Sequence, residues 1–431
     1  MPFVVKQHVW TVVLTVSFLS AGNAFAAQGG SNALTLEQAE KIALQRDAVR
    51  RAIKSKERAF REQSVAENAL PDPQLKVGLM NVPTDSYKID QEPMTQSQIG
   101  IVQMFPRGDT LGIRSSRASH VADGQLSKWN DRALVVQREV RLSWLELHYW
   151  NNAEQVISKN RGLFEQLVNI TQSNYAAGRQ KQQDVTRAQL ELGLLVDRII
   201  MIKNMQEKQR AKLARWLGEE YLTAAISAAF PSFEGLEEKP VIFSQLALHP
   251  SMRVEAARVA VNEDGVQLAK QSYKPSWMVD LTYGFRDGNN TNGSERSDFL
   301  SAMVKFDLPL FTGNDQDRKV AASKAKLMAA QDMREDKLRR LQRMLNDEYA
   351  SWQRLTQRME QYSNILVSKA KQNTRAALNA YQTDKGDFTT LMRASITELE
   401  TQLKALRIHV DHIKAKVKVL YLSGHSTGES K

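Results

Sequence analysis

The 431-residue chain contains no cysteine. That excludes a disulfide framework and thiolate metal sites, and it excludes a lipid anchor, which needs a cysteine at the cleavage site. Long apolar runs are also missing beyond the N-terminal segment. No later helix can therefore cross a membrane, which takes about 20 apolar residues. If such a chain enters lipid, it does so as strands. No nucleophile-elbow, phosphate-loop or zinc-protease pattern occurs, so neither enzymatic chemistry nor a cofactor is expected. Acid is the scarcer charge: 48 Asp and Glu stand against 59 Lys and Arg, a formal net charge of +11. The charges are spread along the chain rather than blocked, as on long solvated helix faces.

The N-terminus sets the compartment. Lys6 and His8 precede an apolar run from Val9 to Ala21, and Ala24-Phe25-Ala26 places small residues where signal peptidase reads them. Residues 1–26 are read as a cleaved signal peptide. Its loss removes Lys6 and no acid, so +11 becomes +10. In an exported protein this surplus fits an anionic lipid surface or plain solubility, and no nucleic-acid partner is expected.

The remainder reads as two copies of one plan: helix, strand, loop, strand, long helix, tight turn, long helix. The first copy covers 27–218. Thr35 and Gln38 have capping-box spacing, and a helix is expected to run on to about Leu70, where Pro71 and Pro73 stop it. Strands are expected at about 74–82 and 98–105, then a helix from Leu111 to Tyr175 without proline, a turn at Ala176–Arg179, and a helix from Asp184 to Leu217. Residues 219–242 form a connector. The second copy covers 243–422, with strands at about 277–286 and 299–308, a helix from Asp315 to Tyr381 lacking internal proline and glycine, a turn with Lys385 and Gly386, and a last helix. Residues 423–431 read as a flexible tail.

The second copy's strands alternate. Trp277, Val279, Leu281, Tyr283 and Phe285 share one face, and Met278, Asp280, Thr282 and Gly284 the other. Leu300, Ala302, Val304 and Phe306 repeat the pattern. In the first copy Leu75, Val77 and Leu79 share a face, as do Ile99, Ile101 and Phe105, although Gln103 interrupts. Runs of about ten residues match tilted transmembrane strands. Trp277, Tyr283 and Phe285 suit the membrane interface. A half-buried strand of a soluble sheet has the same period, but four strands cannot close a barrel alone and open edges are intolerable in lipid. Several copies must then share one wall. A 65-residue helix is about 100 Å long at 1.5 Å per residue, too long for a compact domain to bury. Small residues such as Ala322, Ala325 and Ala329 suit side-by-side helices better than a strict heptad rod.

These features resemble the TolC family of outer-membrane efflux proteins over about 34–422. The residues that carry the likeness are the strand exits Phe105-Pro106-Arg107-Gly108 and Leu308-Pro309-Leu310-Phe311-Thr312-Gly313, and the tip signature Tyr175-Ala176-Ala177-Gly178 leading to Asp184-Val185. The second copy keeps Tyr381 and Leu391 at equal spacing but has Asp384 in place of the glycine. Asn68–Pro73, Met94–Gln96 and Gln103–Gly108 look most like the branch that serves heavy-metal exporters. The resemblance implies a mixed fold of α-helix and transmembrane β: a homotrimeric twelve-stranded outer-membrane β-barrel, four strands per chain, on a long periplasmic α-helical barrel. It implies a passive exit duct joined by a periplasmic adaptor (membrane fusion) protein to an inner-membrane pump of the resistance-nodulation-division type. Outer-membrane lipid would surround the barrel.

The resemblance also implies a gate at the helix tips. Asp184 and Tyr381 occupy latch positions. The expected cation five residues after Tyr381 is replaced by Gly386, leaving Lys385 or Arg179 as substitutes. The acids expected at the constriction are replaced by Thr390 and Arg393, leaving Asp384 and Asp387. The turns with Tyr175, Gly178, Arg179 and Gly386 would meet the adaptor. These residues are also ordinary turn formers. His409 and His412 lie three apart on a helix but have no third ligand, so they read as a solvated face rather than a metal pair. Met80, Met94 and Met104 read as packing residues rather than copper contacts. The competing class is a soluble periplasmic coiled-coil adaptor or scaffold, which would carry one helical hairpin rather than two. A periplasmic metal-binding protein would need richer ligand clusters.

Overall fold

The computed structural model describes residues 33–424 except Gln180, Glu234 and Asp384. The signal segment, most of the tail and the gate candidate Asp384 lie outside the described residues. In chain order the elements are α1 (Leu36–Arg46), α2 (Ala48–Ala66), β1 (Gln74–Met80), β2 (Gln96–Phe105), α3 (Thr110–Ala176) and α4 (Gln182–Leu217). They continue with α5 (Lys239–Gln245), α6 (Pro250–Gln271), β3 (Trp277–Phe285), β4 (Phe299–Phe306), α7 (Gln316–Gln361), a π-helical turn at Tyr362–Leu366, α8 (Val367–Gln382) and α9 (Phe388–Ser423). No described helix is long and apolar enough to cross a membrane.

The first helix differs from expectation. Thr35 and Gln38 form the capping box, but the helix stops at Asp47 and a second one starts there. Asp47 is extended (ψ 104°), its carboxylate accepts from the Arg50 amide at 2.5 Å, and Arg132 of α3 grips it through Nη2 at 2.7 Å. A cap held by a cation 85 residues away leaves no trace in helical periodicity. The long helix expected from Asp315 to Tyr381 is likewise interrupted, by the π turn. The last helix of the opening run ends at Ala66 rather than Leu70.

All four strands form one antiparallel sheet in the order β1-β2-β3-β4. The β2–β3 pairing joins segments separated by all of α3 to α6 and runs from Ser97↔Phe285 to Phe105↔Trp277. β1 stops at Met80 because Asn81 turns left-handed (φ 55°). β1 and β4 each keep one edge without a partner strand among the described residues.

The helices pack in two regions. Around the middle, Val136, Val140, Trp144 and Leu147 of α3 meet Ala39 and Ala43 of α1 and Leu213 and Leu217 of α4. Leu341 and Leu345 of α7 meet Val419 and Leu422 of α9. The connector straps this middle. Phe230 lies edge-on between the rings of His148 and His409, at 4.1 and 4.5 Å, and the Phe233 carbonyl accepts from Lys416 at 2.9 Å. Glu146 binds Arg407 at 2.8 Å and also Lys414. Burial opposes its charge, but these hydrogen bonds hold its carboxyl below the ordinary range. A second cluster fills the far end of α3, α4, α8 and α9.

His409 and His412 do not form a solvated face. His409 packs on Phe230, and His412 stacks on Trp352 at 5.9 Å. Burial lowers the pKa of His148, His409 and His412 below 6.5, and that of His249, whose Nε2 lies 3.0 Å from the Tyr421 carbonyl. Below about pH 6.5 the unfolded chain takes up protons that the folded chain resists, so stability present above that pH falls as pH drops toward the folded values. Thermal melts of the purified protein are expected to show a lower Tm at pH 5.5 than at 7.5. The His148→Gln variant should show a smaller difference.

Candidate functional site

The sheet has two chemically distinct faces, fixed by register. Leu75, Ile101, Leu281 and Ala302 lie in one row across the four strands, and Val77, Ile99, Tyr283 and Leu300 in the next. This face is exposed: Leu75 is 70%, Val77 73% and Leu300 77% accessible. A solvent-facing sheet would not carry its aliphatic side outward. On the opposite face Lys76 reaches across β2 to Asp280 Oδ2 at 3.0 Å and Thr282 Oγ1 at 3.3 Å on β3. Gly100 makes that crossing possible, since a Cβ there would stand 2.6 Å from Thr282 Oγ1. The sheet therefore has one apolar and one polar face.

The aromatics mark the ends of the sheet. Trp277 stacks on Phe105 with centroids 4.0 Å apart, where the strands give way to helices. Tyr283 and Phe285 meet edge to face at 4.7 Å toward the loop end, and the Tyr283 hydroxyl donates to Asp298 at 2.7 Å. Sequence reasoning missed Arg296. Its Nη1 donates to the carbonyls of Asp90, Glu92 and Asp287, at 3.0, 3.1 and 2.9 Å, and so ties the β1–β2 loop to the β3–β4 loop. Met80, Met94 and Met104 each remain about half exposed in the single chain (46%, 54% and 46%).

At the other extremity the α3–α4 and α8–α9 turns lie together. Gly178 turns left-handed (φ 71°), its amide bonds the Tyr175 carbonyl, and the Arg179 amide bonds Asn174. Tyr175 is 47% exposed. Tyr381 is buried, stands 5.9 Å from the Phe388 ring and receives a hydrogen bond from Asn174 Nδ2 at 3.4 Å. Asp184 sits half-buried in the first turn of α4 and makes no ion pair among the described residues. Within one chain the structure thus brings Tyr381 to Asn174 rather than to Asp184. Asp387 caps α9, accepting from the Thr390 amide at 2.8 Å and hydroxyl at 2.7 Å, and these bonds lower its pKa. Lys385 is exposed, and its amide bonds the Ala380 carbonyl. Gly386 lies against Ala380, where a Cβ would come within 3.0 Å of the alanine methyl. Sequence reasoning also missed Arg187, which donates to Thr389 Oγ1 at 2.9 Å and links the two hairpins. Phe388, 2% exposed, anchors the tip cluster. Its signal was an aromatic directly after the capping Asp387.

Phe388→Ala should cost about 3–5 kcal/mol, the usual range for a fully buried phenylalanine. Asp387→Ala should speed amide exchange at the first turn of α9 while leaving α3 unchanged. Hydrogen–deuterium exchange of the tip peptides reads both.

Comparisons with known proteins bear on the fold. Residues 241–424 match the sequence profile of the outer membrane efflux protein family. Comparison with curated protein sequences gives no match. Solved structures are similar over almost the whole chain. The outer membrane protein VceC from Vibrio cholerae aligns with a TM-score of 0.76 at 14% identity, over 90% of this chain and 96% of its own. CusC, whose structures concern folding and transmembrane channel formation, aligns with a TM-score of 0.77 at 12% identity, over 91% and 92%. The Campylobacter jejuni CmeC outer membrane channel aligns with a TM-score of 0.75 at 10% identity, over 99% and 95%. The chain therefore has the fold of these outer-membrane channel subunits, and its second half matches the efflux family's sequence profile.

Proposed function

We propose that the protein is a TolC-family exit duct of a tripartite efflux system, a passive outer-membrane channel rather than an enzyme. The observation that carries this reading is the four-stranded sheet with an exposed aliphatic face, a polar reverse face and two open edges. In lipid every backbone polar group needs a partner, so β1 of one copy would pair with β4 of the next until the wall closes. A homotrimer gives twelve strands, with the helices forming a periplasmic tunnel beneath. We read the two runs of elements as copies of one plan, which would place six hairpin tips around the tunnel's end. The tips would meet a periplasmic adaptor and, through it, an inner-membrane pump of the resistance-nodulation-division type. Asp184, without an ion pair among the described residues, would find its latch partner across a subunit boundary. Heavy-metal cations are the proposed cargo class.

The mature protein should be recovered from a washed outer-membrane pellet and run as a trimer in mild detergent. A detergent-free, water-soluble monomer would defeat the duct. In planar bilayers Asp184→Ala should raise single-channel conductance, and an unchanged conductance would remove Asp184 from the latch.

A further inference from the structure

The strands contain four methionines, one each: Met80, Met104, Met278 and Met303. Register places all four on the polar face and none on the aliphatic face. That is the reverse of what packing chemistry favours, since a thioether is apolar and ordinarily fills cores. Here the remaining positions of that face carry mostly Lys, Asp, Thr, Ser, Gln and Gly. Met104 is 46% and Met303 52% exposed on it.

Three of the four are neighbours. Met104 pairs directly with Met278 across β2 and β3. Met278 pairs with Lys305 and Asp280 with Met303, so Met303 lies diagonally beside Met278. Direct partners have Cβ atoms about 4.5–5.5 Å apart and diagonal ones about 7–8 Å, spans that flexible thioethers can close. Behind them, on the aliphatic side, the Phe105–Trp277 stack closes the next row.

The surrounding groups narrow the ligand. Asp280 is already engaged by Lys76 and Thr282, so its carboxylate is not free for a hard divalent ion. Met80 accepts from the Gln98 amide at 3.0 Å and stands apart. Among the described residues no group of three His, Cys, Asp or Glu could hold a metal. Thioether donors select soft ions such as Cu(I). The neighbouring Lys305 ammonium repels a double charge more than a single one.

We propose that Met104, Met278 and Met303 form a thioether site for a soft monovalent cation, Cu(I) or Ag(I), on the lumen wall of the barrel. The placement in a lumen rests on the duct reading. Repeated in each subunit, the site would give a ring of sulfur donors at the helix-side end of the barrel.

The test uses the full-length protein in detergent, titrated with Ag(I) by calorimetry, with retained metal measured by mass spectrometry after desalting. The M104L/M278L/M303L variant keeps apolar bulk and removes the sulfurs. It should bind Ag(I) on the order of tenfold more weakly or worse. The control variant M328L/M333L, changed at two exposed methionines of α7, should bind as wild type. Equal Ag(I) binding by the triple variant and wild type overturns the site. An unchanged far-UV circular dichroism spectrum and thermal melt show that the triple variant folds. A wild type that conducts but retains no Ag(I) overturns the site and leaves the duct standing. A wild type that forms no channel overturns the duct reading, and the lumen placement with it.

Discussion

An antiparallel sheet can be open at both edges only where water, or another strand, satisfies its backbone. In this protein the sheet's aliphatic face extends to β1 at one edge and β4 at the other, with Leu75, Val77 and Leu79 on the first and Leu300, Val304 and Phe306 on the second. Water cannot serve those edges if that face meets lipid, and each unsatisfied group would cost several kcal/mol. In the proposed duct, β1 of one copy would meet β4 of the next in a heterologous contact that closes. The helices show the same one-sidedness. Leu190, Leu194 and Ile200 of α4 and Met328 and Met333 of α7 remain open in the single chain.

Closure would place the polar face inward, and the structure shows how that face is kept in order. Lys76 and Asp280 sit on strands that are not adjacent, so their contact spans β2 and links the two halves of the sheet. The link exists because the intervening residue is Gly100. At the loop end the Arg296 guanidinium fastens the same two halves through the Asp90 and Glu92 carbonyls. Residues from the first pair of strands therefore constrain those from the second at both levels. In the middle of the helical body the connector performs the corresponding task, wedging Phe230 between α3 and α9.

Much of this was legible in the sequence because it rests on short-range rules. Period-two alternation located β3 and β4 to within two residues, and Pro106 and Pro309 marked where strands give way to helices. The absence of proline across α3 announced a helix of unusual length. What was not legible depends on residues far apart in the chain. The break at Asp47 is held by Arg132, and the apolar period runs through it undisturbed. The π turn at Tyr362–Leu366 has no glycine or proline to announce it. At the tips, the sequence could not show that the nearest polar partner of Tyr381 is Asn174, or that Arg187 reaches Thr389. The histidines of α9 read as solvated because their aromatic neighbours come from the connector and α7.

The tip contacts indicate which parts could move. Its polar links are few and peripheral: Asn174 to Tyr381 at a long 3.4 Å, and Arg187 to Thr389 on the surface. A hydrogen bond of that kind contributes about 0.5–1.5 kcal/mol net. Beneath them lies a shared cluster in which Phe164, Leu167, Phe388 and Leu391 are almost fully buried, drawn from both hairpins. Burying one such side chain contributes about 1.5–3 kcal/mol. Separating the two hairpins of one chain would therefore cost far more than breaking the polar links alone. The hairpins of a chain should then move as one body, and in the proposed duct any opening of the tunnel's end would occur where one chain meets the next. That is also where Asp184, which has no ion pair among the described residues, would find its partner.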